Sequence, residues 1–185
     1  MALTTLDTHT ALIIIDLQHG IVRLPVVHEP QPVIDRCAQL AAGFRARQLP
    51  VVLVNVAGGA PGRNEQGSHS GELPADGATL VPEMTPQPDD ITVTKKTWGA
   101  FHQTSLHADL QARGITQVVI CGIATSIGVE STARQAYELG YNVTLATDAM
   151  TDLNLDTHNN SVKLIFPRLG ETGTSAEVLA LVDAR

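Results

Sequence analysis

Residues Cys121–Tyr141 read CGIATSIGVESTARQAYELGY. The apolar run from Gln117 to Ile120 leads into this stretch, a turn of Gly, Ala, Thr and Ser follows, and helical spacing then continues to a stop at Gly140. That is the order strand, tight turn, helix. The spacing predicts a helix starting near Thr125 or Ser126, whose hydroxyls suit an N-cap, with Glu130 in its first turn and a C′ glycine at its end. Backbone N–H groups converge at such a helix start, and small residues let a ligand approach them. The turn therefore reads as a site for an oxyanion.

Outward from this unit the pattern repeats. Ala11–Ile15 is a continuous apolar run with three successive isoleucines, as expected of a strand buried on both faces, and Asp16 follows at its C-terminal end. Pro32 opens a helix that places Val33, Cys37, Leu40, Ala41 and Phe44 on one face, and Leu49-Pro50 closes it. Val51–Val56 reads as a second strand. It runs into residues 57–90, a long Gly- and Pro-rich segment of the kind that serves function or an oligomer contact, with PGRNE and SHSGE pieces that carry no ligand spacing. Ile91–Thr94 is a third strand and delivers Lys95 and Lys96. WGAF follows, then a helix from about Thr104 to Arg113, and Thr116–Cys121 is the fourth strand. Asn142–Ala146 reads as a fifth strand, Asp156–Leu164 as a helix, Ile165-Phe166 as a short sixth strand and Ser175–Val182 as a terminal helix.

Strands alternating with helices define an α/β class, a doubly wound, mostly parallel six-stranded sheet with helices on both faces. In such sheets ligands bind beyond the carboxyl ends of the strands. Asp16, Lys95 and the turn at 122–128 all fall at such ends.

Composition narrows the class of partner. The chain has 185 residues, 43% hydrophobic and 17% charged, and reads as one globular domain over residues 1–185. A net charge of −7 and a pI near 5.4, with no Lys/Arg cluster, argue against nucleic acid and for a small molecule. No apolar stretch reaches bilayer-spanning length and no signal-peptide pattern opens the chain, so a cytoplasmic location is expected. Cys37 and Cys121 read as free, buried thiols.

The combination ALIIIDLQ, TKKTWGAF, VVICGIATSIGVESTARQAYELGYNV and the DAMTD and FPRLG tail resembles the isochorismatase-like hydrolases, also called cysteine hydrolases, over nearly the whole chain. The resemblance implies a six-stranded parallel sheet, an Asp, Lys and Cys triad, a non-proline cis peptide before the oxyanion turn, and assembly into a dimer or larger homo-oligomer. Carried onto this chain, the acid is Asp16 and the lysine is Lys95, with Lys96 the alternative. The cis bond falls between Ile123 and Ala124, and the oxyanion donors are the amides of Ala124 and Gly128. The nucleophile position holds Gly128 instead of Cys, which the resemblance associates with the true isochorismatases, and Cys121 stands seven residues too early to replace it.

A glycine forms no thioester. Cleavage of a vinyl ether needs only a proton donor and water, and burial can raise a carboxyl pKa enough for Asp16 to supply the proton. Lys95 then orients Asp16 and the anionic groups of a small substrate, Gln18 holds substrate or water, and Trp98 and Phe101 wall the pocket. Thr125 belongs to the substrate-binding turn, and Thr125 and Ser126 read as caps rather than nucleophiles because no base is placed beside them. The histidines, His9, His19, His28, His69, His102, His107 and His158, show no metal spacing. The family's metal-dependent nicotinamidases carry an Asp and His cluster where this chain reads NVAGGAPGRN, so no metal and no cofactor is expected. Three readings stand: a vinyl-ether hydrolase of the isochorismatase type, an amide or ester hydrolase using Asp16-activated water, and an inactive metabolite-binding or oligomeric relative.

Overall fold

A computed structural model describes residues 3–65 and 74–185; the SHSGE piece and His69 lie outside the described residues. Among the described residues six strands form one sheet: β1 (Thr10–Ile15), β2 (Val51–Val56), β3 (Ile91–Lys95), β4 (Gln117–Ile123), β5 (Asn142–Thr151) and β6 (Glu171–Gly173). Their order is β3-β2-β1-β4-β5-β6, and every pairing is parallel. The order reverses at β1, with β2 on one side and β4 on the other, so the carboxyl ends of β1 and β4 define the switch point.

Every residue of β1 is buried. Ala11, Ile13 and Ile15 face one hydrophobic layer, while Leu12 and Ile14 face the other, which is why the run shows no polar alternation. The second layer is covered by α2 (Pro30–Ala46), whose predicted face of Val33, Cys37, Leu40, Ala41 and Phe44 is buried, and by α7 (Ser175–Asp183). The first is covered by α3 (Leu106–Ala112), α4 (Glu130–Glu138) and α6 (Phe166–Leu169). Two further short helices are α1 (His19–Val22) after β1 and α5 (Leu155–Asn160) after β5.

Four expectations are corrected. The second helix opens at Pro30 and not Pro32, because Pro suits the first turn at either position. The fifth strand continues past Ala146 to Thr151: its register with β4 shifts between Leu145 and Met150, so the chain bulges and then resumes pairing. Ile165-Phe166 is not a strand but lies in a helical run. Phe166 is fully buried from that helix, and β6 is the polar Glu171–Gly173, whose edge position leaves no hydrophobic signature. Neither Thr125 nor Ser126 caps a helix through its side chain: residues Thr125–Val129 form a π-helical turn that flows directly into α4.

Candidate functional site

Asp16 stands just past the end of β1 with φ +50°, an uncommon value for a residue with a Cβ, held by its N–H donating to the Val54 carbonyl of β2. Beside it β4 passes close. A Cβ on Gly122 would overlap the Ile15 carbonyl oxygen, and Gly122 has φ +114°, so only glycine fits there. Lys95 closes β3 and reaches across the ends of β2 and β1. Its Nζ donates to Asp16 Oδ2 at 2.7 Å and to the Trp98 carbonyl at 2.8 Å, while Lys96 is exposed.

Both members of the pair are buried, with side-chain exposures of 2% for Lys95 and 7% for Asp16. Burial raises the Asp16 carboxyl to about 6, against the charge and hydrogen bond of Lys95, which pull it down. Its Oδ1 is buried without a hydrogen-bond partner among the described residues. The pair is thus an acid near neutrality with one oxygen unspoken for.

Gly128 lies over this pair. A Cβ built on it would sit 3.3 Å from Asp16 Oδ2 and 3.3 Å from Lys95 Nζ, and 2.8 Å from Ile15 Cγ2. No side-chain nucleophile therefore stands at that position. Cys121 does not substitute: its thiol is fully buried, 3.5 Å from Cys37 Sγ on the α2 side of the sheet, and its contact with the Cys37 thiol together with burial pushes its pKa well up. The Ile123–Ala124 peptide is cis.

The turn is braced from β5 and α5. Thr125 Oγ1 donates to the Thr151 carbonyl at 3.1 Å, so the 2.8 Å contact with His158 Nδ1 has the imidazole as donor. Burial and His28 hold the His158 pKa below its ordinary value. Ser126 N–H donates to Asp152 Oδ2 at 2.6 Å, which removes that amide from any oxyanion role.

Asp16, Lys95 and Gly128 are brought together, with Ala124 at the adjoining turn. The other expected residues are not. Gln18 is fully buried, and its carboxamide bonds the Val56 N–H and carbonyl and the Gly77 carbonyl, a stitch between β2 and the following loop. The Thr125 hydroxyl is consumed by Thr151 and His158. Phe101 lies in the core, stacked on Tyr141 at 5.9 Å, and Trp98 is 61% exposed. Sequence reasoning passed over His158, Asp152 and Thr132. Only Thr132, four residues after Gly128 on one helical face, had a local signal. Among the described residues no group of three or more His, Cys, Asp or Glu is placed to hold a metal ion, and no helix is long and apolar enough to cross a membrane.

A buried carboxyl and lysine thus meet at the switch point of a parallel sheet, where α/β enzymes bind their ligands. An isochorismatase domain profile matches residues 10–177, and the chain belongs to the isochorismatase family of hydrolases. It is 46% identical over 180 residues to the isochorismatase family protein YwoC of Bacillus subtilis, covering 94% of each chain. It is 32% identical over 170 residues to the ureidoacrylate amidohydrolase RutB of Pseudomonas syringae, covering 76% of this chain and 69% of that one. Among solved structures, an isochorismatase family protein from Burkholderia thailandensis superposes with a TM-score of 0.92 at 41% identity, covering 97% and 98% of the two chains. N-carbamoylsarcosine amidase from Thermoplasma acidophilum does so with a TM-score of 0.74 at 26% identity, covering 91% and 97%.

Proposed function

We propose that this hydrolase cleaves a small anionic vinyl ether of the isochorismate type, with Asp16 as proton donor. The observation that carries the reading is the Asp16 carboxyl itself, buried, held near 6 and with Oδ1 unpartnered beneath a position that lacks a nucleophilic side chain. Asp16 gives its proton to the terminal carbon of the enol ether. Water adds to the resulting oxocarbenium carbon, its proton returns to Asp16, and the hemiketal collapses to pyruvate and a dihydroxy-cyclohexadiene acid. Lys95 uses two of its three donors on Asp16 and Trp98, and its third meets a substrate carboxylate. The amides of Ala124 and Gly128 receive an anionic oxygen.

A second reading, amide hydrolysis by water activated at Asp16, is favoured by the similarity to a ureidoacrylate amidohydrolase and an N-carbamoylsarcosine amidase, and by the Lys95 ammonium that stabilises the carboxylate. One experiment separates them. Wild type and Asp16→Asn are incubated with isochorismate and, separately, with ureidoacrylate and N-carbamoylsarcosine, following pyruvate and ammonia. Asp16-dependent pyruvate release is the expected result; ammonia release without pyruvate replaces the vinyl-ether reading with the amide one.

A further inference from the structure

Thr132, on the first turn of α4, is fully buried, and its Oγ1 lies 2.7 Å from the Gly128 carbonyl oxygen and 3.1 Å from the Ala100 amide nitrogen. A carbonyl only accepts and an amide only donates, so the hydroxyl gives its one proton to Gly128 and receives the Ala100 N–H. Back-bonding to the carbonyl four residues earlier is common for helical threonines. The Ala100 bond is not: it joins the turn over the site to the segment 98–101.

A second tie lies one turn further along α4. Gln135 Oε1 accepts from the Phe101 N–H at 3.1 Å, and its carboxamide lies so close to Gly99 that a Cβ there would overlap Oε1. The other end of the same segment holds the lysine. The Trp98 carbonyl accepts from Lys95 Nζ at 2.8 Å, and that Nζ donates to Asp16 Oδ2 at 2.7 Å.

The geometry assigns to Thr132, supported by Gln135, the role of a positioning residue that sets where the Lys95 ammonium stands between Trp98 and Asp16. The buried Ala100 N–H loses its partner if the hydroxyl is removed, and the segment carrying the Trp98 carbonyl is then free to shift, taking Lys95 with it. The chemical task of Asp16 rests on the function proposed above; the placement of Lys95 does not.

The test is a titration of the Asp16 side-chain carboxyl by 13C NMR in wild type, Thr132→Val and Thr132→Ser, with urea unfolding in parallel. Lys95 is the charged group that lowers the Asp16 pKa. Thr132→Val is expected to move the Asp16 midpoint upward, and Thr132→Ser, which keeps the hydroxyl, to leave it at the wild-type value. A folded Thr132→Val with an unchanged or lowered midpoint overturns the assignment. Should Thr132→Val not fold, Thr132→Ala, which removes the same hydroxyl with less bulk, is read in the same way: an upward shift supports the role and an unchanged midpoint removes it. Isochorismate turnover by wild type is recorded separately, so that absent turnover with an intact Thr132-dependent shift sinks the proposed reaction and leaves the positioning role standing.

Discussion

Ile15 Cγ2 lies 2.8 Å from the point that a Cβ on Gly128 would occupy. Ile15 is a β-branched residue fixed in the central strand with no exposed surface, so it cannot swing aside as a longer flexible chain would.

Gly128→Cys by itself is therefore expected to lose roughly 1–3 kcal/mol of stability through overpacking and to gain little thiol reactivity. Ile15→Ala removes the obstructing methyl at its own cost of roughly 2–5 kcal/mol. The double variant should lose less than the sum of the two, a non-additivity read by urea unfolding of the four proteins. Strict additivity would show that Ile15 does not exclude a side chain at position 128. Labelling of the introduced thiol in the double variant reports whether the Asp16–Lys95 pair activates a thiolate placed there.

The Asp16 carboxyl, near 6 in the fold against its ordinary 3.8, makes stability fall as pH rises. Between these values the unfolded chain has already released the proton that the folded one retains, so the fold loses stability from about pH 4 to about pH 6, by roughly 3 kcal/mol in all at 1.36 kcal/mol per pH unit. Asp16→Asn should abolish this slope in unfolding experiments across that range. If Asp16 acts as the acid, vinyl-ether turnover declines as pH rises through about 6. A rising limb in the same region would mark Asp16 as a base.

Gln18→Leu should destabilise the fold by roughly 1–3 kcal/mol, because the Val56 amide and carbonyl and the Gly77 carbonyl lose their side-chain partner. If the side chain is a stitch and not a ligand, the fall in activity appears in the fraction of folded enzyme, with KM unchanged. A raised KM in fully folded variant would return Gln18 to the substrate.

The sheet was legible because its signal is local. Three isoleucines in a row, Val51–Val54, and the strand-turn-helix at 117–140 each declare themselves within one element, and Asp16 and Lys95 could be placed because a strand end is a position in sequence as well as in space. Gly140, with φ +88°, ends its helix as read. The polar residues around the pair resisted sequence reading because their neighbours are not local. Gln18 looks like a pocket residue until Gly77 is seen 59 positions away, and Thr125 looks like a cap until Thr151 and His158 arrive from other elements. The aromatic character of Phe101 suits a pocket wall and the core equally well, and the ring lies in the core. β6 escaped because a three-residue edge strand needs little hydrophobicity to pair.

The parallel pairing of β1 with both β2 and β4 has a consequence for how the enzyme comes into being. Asp16 and Lys95 meet across 79 positions of chain, and Ile15 pairs with Gly122 from the far side. Parallel neighbours of such separation are slow to form, since loop closure precedes the contacts that reward it. The raised proton affinity of the Asp16 carboxyl depends on the central strand being enclosed on both sides, so it is a property of the completed sheet and of no local segment.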